Sequence, residues 1–559
     1  MTSCFSSPEK KGRSLFFSAV AVFAFALALP FVAQAQVRET PGVAKASQGS
    51  FSPDAEIRRW QKLAADATRA RKYEEAQSHL KSALERARQL ARENARYKQD
   101  IIRIQMLSAN AALAQTGSAT LDAARAAALR KEIVDTYDRI DREFSGDDSP
   151  NIRKLVAEAL FIKGLRLGQM GDHAAALAAL DVVERRFGQD NAPEIRKIVA
   201  LALYNKGVSL GARGNGAGAL AAYEAVERRF GQDASPEVRE PVSLALLGKG
   251  LALGRKGDNA GALAVFDDIE RRFGQDTSSG VRASVAWALY NKGVSLGKQG
   301  NGAGERAIYE EVERRFGQDA SPEVRKPVSL ALLGKGASQG KKGGSAGELA
   351  VYEETARRFE RDTSGREQAA VALYNKSVRL GERGDHAGMI AAIDDLDRRF
   401  GQDASPAVRA QVAKALFNKG GALGQQGDSS GALAVFEAVD RRFGQDKSSG
   451  VREAVAAALY SKSMILGQKG DIAGGMAVFE KIDRRFGQDE SPLVRASVVW
   501  ALYNKGRVLG KQGNIAAAHA VFDDIERRFG QDSSSSVRDA VAKSRHDKAA
   551  LRPQNAAKP

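Results

Sequence analysis

Side chains able to move protons or hold metals near neutral pH are few in this chain. Five histidines, His79, His173, His386, His519 and His546, are scattered through 559 residues. None falls in a His-Glu-x-x-His or comparable ligand spacing, so no metal site is expected. The one cysteine is Cys4, which excludes a disulfide framework and any zinc site needing several thiolates. Gly-x4-Gly-Lys-Ser/Thr does not occur, and Gly-x-Ser-x-Gly, at residues 207–211, 293–297 and 336–340, falls inside a recurring helical pattern with no strand before it, so neither a phosphate cradle nor a nucleophile elbow is expected. The stretch Gly214-Asn215-Gly216-Ala217-Gly218 mimics part of a dinucleotide loop, but it follows a helical pattern and recurs as a turn, with no strand before it. Carboxylates are plentiful at regular helix positions, where solvated or ion-paired faces account for them. The expectation is a chain that is not an enzyme, with no cofactor and no metal.

Two ladders of residues carry what polar chemistry remains. Lysine recurs at Lys163, Lys206, Lys249, Lys292, Lys335, Lys376, Lys419, Lys462 and Lys505. It is matched by acidic residues at Asp181, Glu224, Asp267, Glu310, Glu353, Asp394, Glu437, Glu480 and Asp523. Matching sets favour ion pairs, the lysine stem covering apolar surface while its head finds a carboxylate; a basic ridge for acidic ligands is the alternative. The second ladder pairs an aromatic residue with asparagine: Tyr204 and Asn205, Tyr290 and Asn291, Tyr374 and Asn375, Phe417 and Asn418, Tyr503 and Asn504. An amide donates and accepts at once, as an extended peptide also does. Packing between neighbouring segments would use the same residues, and the pattern alone does not choose. Leu247-Gly248 and Leu333-Gly334 interrupt the series, as an apolar patch or as the mark of a different duplicated half.

These ladders are set by a repeat. Arg-Arg-Phe-Gly-Gln-Asp or a close variant recurs with its phenylalanine at Phe187, Phe230, Phe273, Phe316, Phe359, Phe400, Phe443, Phe486 and Phe529. The interval is 43 residues except between Phe359 and Phe400, where it is 41. Such a period marks a solenoid, in which each unit buries its apolar face against its neighbours. In residues 274 to 316, Ser278 is read as an N-cap whose hydroxyl serves an orphan N–H, and Ser-Pro takes its place in sister units. A first helix then runs to a turn at Gly297 and Gly300. A second begins near Ala303 and ends at Phe316, with Gly317 read as a left-handed cap. Leu289 and Leu296 on the first helix, and Tyr309, Val312 and Phe316 on the second, keep the spacing of one buried face. Gly293 and Gly304 are read as letting the two helices approach. The Arg-Arg pair before each phenylalanine suits the negative end of the helix dipole.

Leu289, Gly293, Leu296, Gly300, Tyr309 and Val312 resemble the tetratricopeptide repeat pattern, as do Trp60, Leu63, Ala64, Tyr73, Ala76, Leu80 and Ala83 nearer the start. The departures are Lys292 in place of a leucine, a small residue on the second helix one place early at Gly304, Gly347 and Gly388, and about nine extra residues per unit. The resemblance covers residues 53 to 530 and implies an all-α, right-handed α-solenoid of antiparallel helical hairpins, a TPR-like superhelix. It further implies that the first helices line a concave groove, where the aromatic and asparagine ladder would grip a protein or peptide.

Residues 1 to 35 read as a signal peptide: Lys10, Lys11 and Arg13 precede an apolar stretch from Leu15 to Val32, and Ala33-Gln34-Ala35 offers a cleavage site. Export to the periplasm or cell envelope of a Gram-negative-type bacterium is expected, with no integral membrane insertion after cleavage. Secretion, or an uncleaved N-terminal anchor, is the alternative. The net charge is +17, of which +7 falls over residues 145 to 529. That mild excess is read as a mixed surface, so no nucleic acid partner is expected. The chain divides into a signal peptide (1–35), a flexible linker (36–52), a divergent helical segment (53–144), nine repeats (145–529), a capping helix (530–546) and a disordered tail (547–559). The function implied is a non-enzymatic protein-interaction scaffold of the bacterial envelope. The alternative is an accessory factor in envelope polysaccharide assembly or export, with polysaccharide as its partner.

Overall fold

The computed structural model describes residues 52–117, 121–340 and 345–551. The expected signal peptide and all but the last residue of the linker lie outside the described residues, as do residues 552–559. Among the described residues the secondary structure is helical, with no strand. No helix there is long and apolar enough to cross a membrane.

The chain forms two compact units, Met1–Ile308 and Tyr309–Pro559. The first contains α1 (Pro53–Arg69), α2 (Tyr73–Ala91), α3 (Lys98–Thr116), α4 (Ala123–Phe144), α5 (Pro150–Gln169), α6 (His173–Phe187), α7 (Pro193–Ala212), α8 (Gly216–Phe230), α9 (Pro236–Lys256), α10 (Asn259–Phe273) and α11 (Ser279–Lys298). The division falls inside α12 (Gly302–Phe316). The second contains α13 (Pro322–Gly340), α14 (Ser345–Phe359), α15 (Arg366–Glu382), α16 (His386–Phe400), α17 (Pro406–Gln425), α18 (Ser429–Phe443), α19 (Ser449–Gln468), α20 (Ile472–Phe486), α21 (Pro492–Lys511), α22 (Ile515–Phe529) and α23 (Ser535–Ala550). Within each unit every helix packs on the next in sequence, and each hairpin's first helix also packs on the first helix of the next hairpin, as α7 does on α9 and α17 on α19. Each unit is therefore a stack of helical hairpins, the all-α arrangement that the period requires. The terminal helix runs to Ala550, four residues past the expected boundary.

The hairpin turn is made by the glycine before the second helix. Gly257, Gly300 and Gly427 hold φ of 92°, 80° and 87°, a region costly for residues with a Cβ. The glycine after each phenylalanine was expected to be the left-handed one, but Gly231, Gly274 and Gly444 are right-handed, with φ near −60°. Crowding is the reason for glycine there: a Cβ on Gly317 would stand 2.2 Å from the Glu313 carbonyl oxygen.

Two cap assignments also change. Ser235, Ser278 and Ser448 open their helices without a side-chain capping bond. Their hydroxyls instead donate to the aspartate of Gly-Gln-Asp two residues back, at 2.5 Å from Ser235 to Asp233 and 2.8 Å from Ser278 to Asp276. The capping side chain belongs to the second helix, where Asp258 accepts from the Gly261 N–H at 2.8 Å and Asn301 from the Gly304 N–H at 2.9 Å. A Cβ on Gly304 would meet the Asn301 side chain at 2.7 Å, so that glycine makes room for the cap and not for a neighbouring helix. The small residue that meets the first helix is one place on, as with Ala262, whose Cβ lies 3.8 Å from where a Cβ on Gly254 would be.

Candidate functional site

The aromatic and asparagine ladder lies on the first helices, and much of it faces other helices. Tyr204 is 5% exposed, Asn205 1% and Tyr290 4%. Asn205 spends its amide on the Leu201 carbonyl of its own helix at 2.8 Å, as Asn291 does on Trp287. The Tyr204 ring sits 5.9 Å from Tyr223 on α8, and burial pushes its phenol far above the ordinary range. In the second unit Tyr374, Asn375, Phe417, Asn418 and Asn504 are half-buried, while Tyr503 is buried at 7%. There the ladder joins successive first helices: Asn504 donates to the Tyr460 hydroxyl at 3.1 Å, and Tyr503 donates to Asp547 at 2.9 Å. Phe417 lies 6.1 Å from Phe436, the aromatic ring of the second helix in its own hairpin.

The breaks at Gly248 and Gly334 have a packing cause. A Cβ on Gly248 would stand 2.7 Å from the Tyr223 ring, and one on Gly334 2.7 Å from the Tyr309 ring. The tyrosine of the preceding second helix fills the space that asparagine takes elsewhere.

The lysine ladder is ion-paired at all nine positions, and the partner lies on the preceding hairpin. Lys206 reaches Asp181 at 2.6 Å, Lys292 reaches Asp267 at 2.6 Å and Lys376 reaches Glu353 at 2.7 Å. Lys462 and Lys505 bind Glu437 and Glu480 at 2.8 and 3.0 Å, Lys419 binds Asp394, and Lys163 binds Asp138. Lys249 and Lys335 take Glu227 and Glu313, one turn beyond Glu224 and Glu310, at 2.8 and 2.7 Å. Burial pulls Lys292 down, but Asp267 and Glu270 outweigh it, so its ammonium is held above the usual lysine range.

The repeated Arg-Arg-Phe-Gly-Gln-Asp motif is a clamp between hairpins. Its second arginine donates to the preceding glycine's carbonyl, Arg229 to Gly188 at 2.7 Å and Arg528 to Gly487 at 2.9 Å. The same guanidinium covers its own phenylalanine, 5.1 Å from ring centre for Arg442 over Phe443. An arginine from the start of the hairpin's first helix also lies over that ring and binds the motif aspartate: Arg409 lies 5.2 Å from the Phe443 centroid and 2.7 Å from Asp446. The dipole reading of the pair is thus incomplete, because the second arginine is committed to contacts that the spacing did not show.

Sequence reasoning missed two buried polar clusters. In the first unit Arg166, 4% exposed, donates to Asn110 at 3.0 Å and to Gln169 at 2.8 Å. In the second, Glu348 is 1% exposed and binds Arg379 at 2.8 Å and Arg383 at 3.2 Å. Glu348 stands where most hairpins have the small residue of the second helix, such as Ala262 or Ala432, and that break in the repeat was the available signal. A cavity of 410 Å³ between α22 and α23 is lined by His519, Phe522, Asp523, Glu526, Arg545 and Lys548. Its carboxylates are already paired with Lys548 and Arg545. No group of His, Cys, Asp or Glu among the described residues could hold a metal ion.

The fold is an array of tetratricopeptide-like hairpins. No family model and no curated relative matches the chain. Among solved structures it is similar to a tetratricopeptide repeat protein from Parabacteroides merdae, at 14% identity over 54% of this chain and 98% of that one, with a TM-score of 0.33. It is also similar to the apo form of RapI, at 11% identity over 71% and 99% with a TM-score of 0.41. The apo quorum sensor NprR from B. thuringiensis matches at 13% identity over 70% and 98%, with a TM-score of 0.36. Scores of this size carry no argument about function, and the assignment rests on the hairpins of this chain itself.

Proposed function

We propose that the protein is a non-enzymatic scaffold of the bacterial cell envelope that holds an extended segment of a protein partner on the first helices of its second unit. One observation carries the reading. Gly421 lies in the interior of α17, exposed, with no atom within 4 Å of where its Cβ would be. A glycine there costs the helix about 1 kcal/mol relative to alanine, and no contact among the described residues requires it. The equivalent residues of the flanking hairpins are Val378 and Met464, both half-buried. The result is a notch in an apolar row, one turn from the half-buried Asn418 on the same helix, where a partner's backbone can approach closely.

The envelope assignment rests on residues 1 to 35, and N-terminal sequencing of the native protein tests it: a chain beginning at Gln36 supports export, while an intact Met1 in a cytosolic fraction defeats it. The groove is tested by affinity capture from the native envelope with residues 36 to 559 as bait, beside Gly421→Phe. A protein held by the parent and lost by the variant supports the reading; identical capture by both baits overturns it.

A further inference from the structure

The end of each hairpin's second helix in the second unit carries two arginines with different fates. The second is committed: Arg399, Arg442, Arg485 and Arg528 are 7, 28, 24 and 17% exposed and ion-paired. The first points to water: Arg314, Arg398 and Arg527 are 71, 74 and 76% exposed, in solvated pairs with an acid three residues back. At Arg441 and Arg484 even that partner is missing, because Ala438 and Lys481 stand there. The carboxylates one turn back, Glu437 and Glu480, are taken by Lys462 and Lys505. Asp440 is taken by Lys481 and Arg485, and Asp483 by Arg528. Exposed Lys447, on the loop after Arg441, makes no ion pair among the described residues either. Glu490 occupies the corresponding place in the next hairpin and bounds the patch. The positive excess in the repeats is therefore not evenly mixed; part of it is concentrated on one edge.

We propose that this edge, centred on Arg441, Lys447 and Arg484 and flanked by Arg398, binds a linear anionic polysaccharide through its carboxylates. Successive ends lie within one arginine's reach of each other, since Arg442 touches the Gly401 carbonyl, so a single extended polymer can meet them in turn. Arginine offers a carboxylate a planar fork of donors, and an exposed guanidinium loses little hydration on binding. A nucleic acid is disfavoured because the neighbouring rings, Phe400, Phe443 and Phe486, are 1 to 3% exposed and closed to base stacking. A protein interface of ordinary kind needs an apolar centre, and the large apolar side chains of the motif beside Arg398, Arg441 and Arg484 are the buried phenylalanines. This surface is separate from the notch at Gly421 and stands or falls independently of it.

The test is titration of the full chain with polygalacturonate, with dextran, duplex DNA and phosphatidylglycerol vesicles as comparisons, at several salt concentrations. The expected result is salt-sensitive binding of polygalacturonate and none of dextran. The triple variant Arg441→Gln, Lys447→Gln, Arg484→Gln should lose at least about tenfold in affinity with a shallower salt slope, and its circular dichroism should be unchanged. Arg441→Lys with Arg484→Lys should retain binding within a few-fold. Failure to bind polygalacturonate at low salt, equal binding by the triple variant, or tighter binding of DNA or vesicles would overturn the proposal.

Discussion

The guanidinium of Arg442 donates to the carbonyl oxygen of Gly401, forty-one residues earlier, at 3.1 Å, and to Asp397 at 2.8 Å. One hairpin thereby caps the helix of the hairpin before it. A repeat whose interior is rich in alanine and valine is in this way joined by directional bonds as well as by apolar contact, and the neighbouring Arg441 makes no ion pair among the described residues.

That difference predicts unequal roles for adjacent arginines. Arg442→Ala should destabilise the junction by about 1 to 3 kcal/mol, since it leaves the half-buried Gly401 carbonyl and the Asp397 carboxylate without their donor. Arg441→Ala should change stability by less than about 0.5 kcal/mol. Hydrogen exchange of amides 397 to 404 separates the two; equal protection in both variants would refute the clamp.

Glycines on the first helices of two hairpins, Gly334 on α13 and Gly421 on α17, should respond in opposite directions. Gly334→Asn puts a side chain where the Tyr309 ring leaves 2.7 Å, so overpacking should cost about 1 to 3 kcal/mol despite the better helix propensity. Gly421→Ala, with open space around it, should stabilise by up to about 1 kcal/mol. Thermal melts by circular dichroism check both signs.

Removing the Glu348 carboxylate leaves Arg379 and Arg383 without their shared acceptor. Glu348→Ala alone should cost about 2 to 4 kcal/mol. Adding Arg379→Ser, the residue at the matching positions Ser295 and Ser338, should recover part of that loss. A double-mutant cycle with no coupling energy would show that the cluster is incidental.

Acid should open the junctions in a defined window. At Asp276 burial pushes the carboxyl up, but the Ser278 amide and Arg239 outweigh it and hold it below the ordinary carboxylate range. Asp446 behaves likewise through Ser448 and Arg409. Asp147 is brought down to about 2 by Lys98 and Ser149. A carboxyl lowered in the folded state contributes stability that is complete above its unfolded value, near 4, and disappears as pH falls through the folded one. The stability these three carboxyls contribute should therefore be constant above about pH 5 and fall steadily toward about pH 2. Asp446→Asn should lessen the fall; an unchanged acid transition in that variant would discount the clamp as its cause.

The sequence by itself determined the hairpin, its period, its helix ends and the buried face, because apolar spacing and glycine-aspartate or glycine-asparagine turns are local signals that recur hairpin after hairpin. It also determined that the lysines would meet carboxylates, since two ladders of equal length invite pairing. Only the tertiary structure decided that Lys292 binds Asp267 on the hairpin before it and not an acid on its own, because a period gives the spacing of residues along the chain and not which hairpin lies across the contact. For the same reason it alone showed that Asn205 is spent on its own backbone, that Gly248 yields to Tyr223, and that of two adjacent arginines one is bound while the other faces water. Side chains one residue apart on a helix point about 100° from each other, and what each of them meets is set by the neighbouring helix.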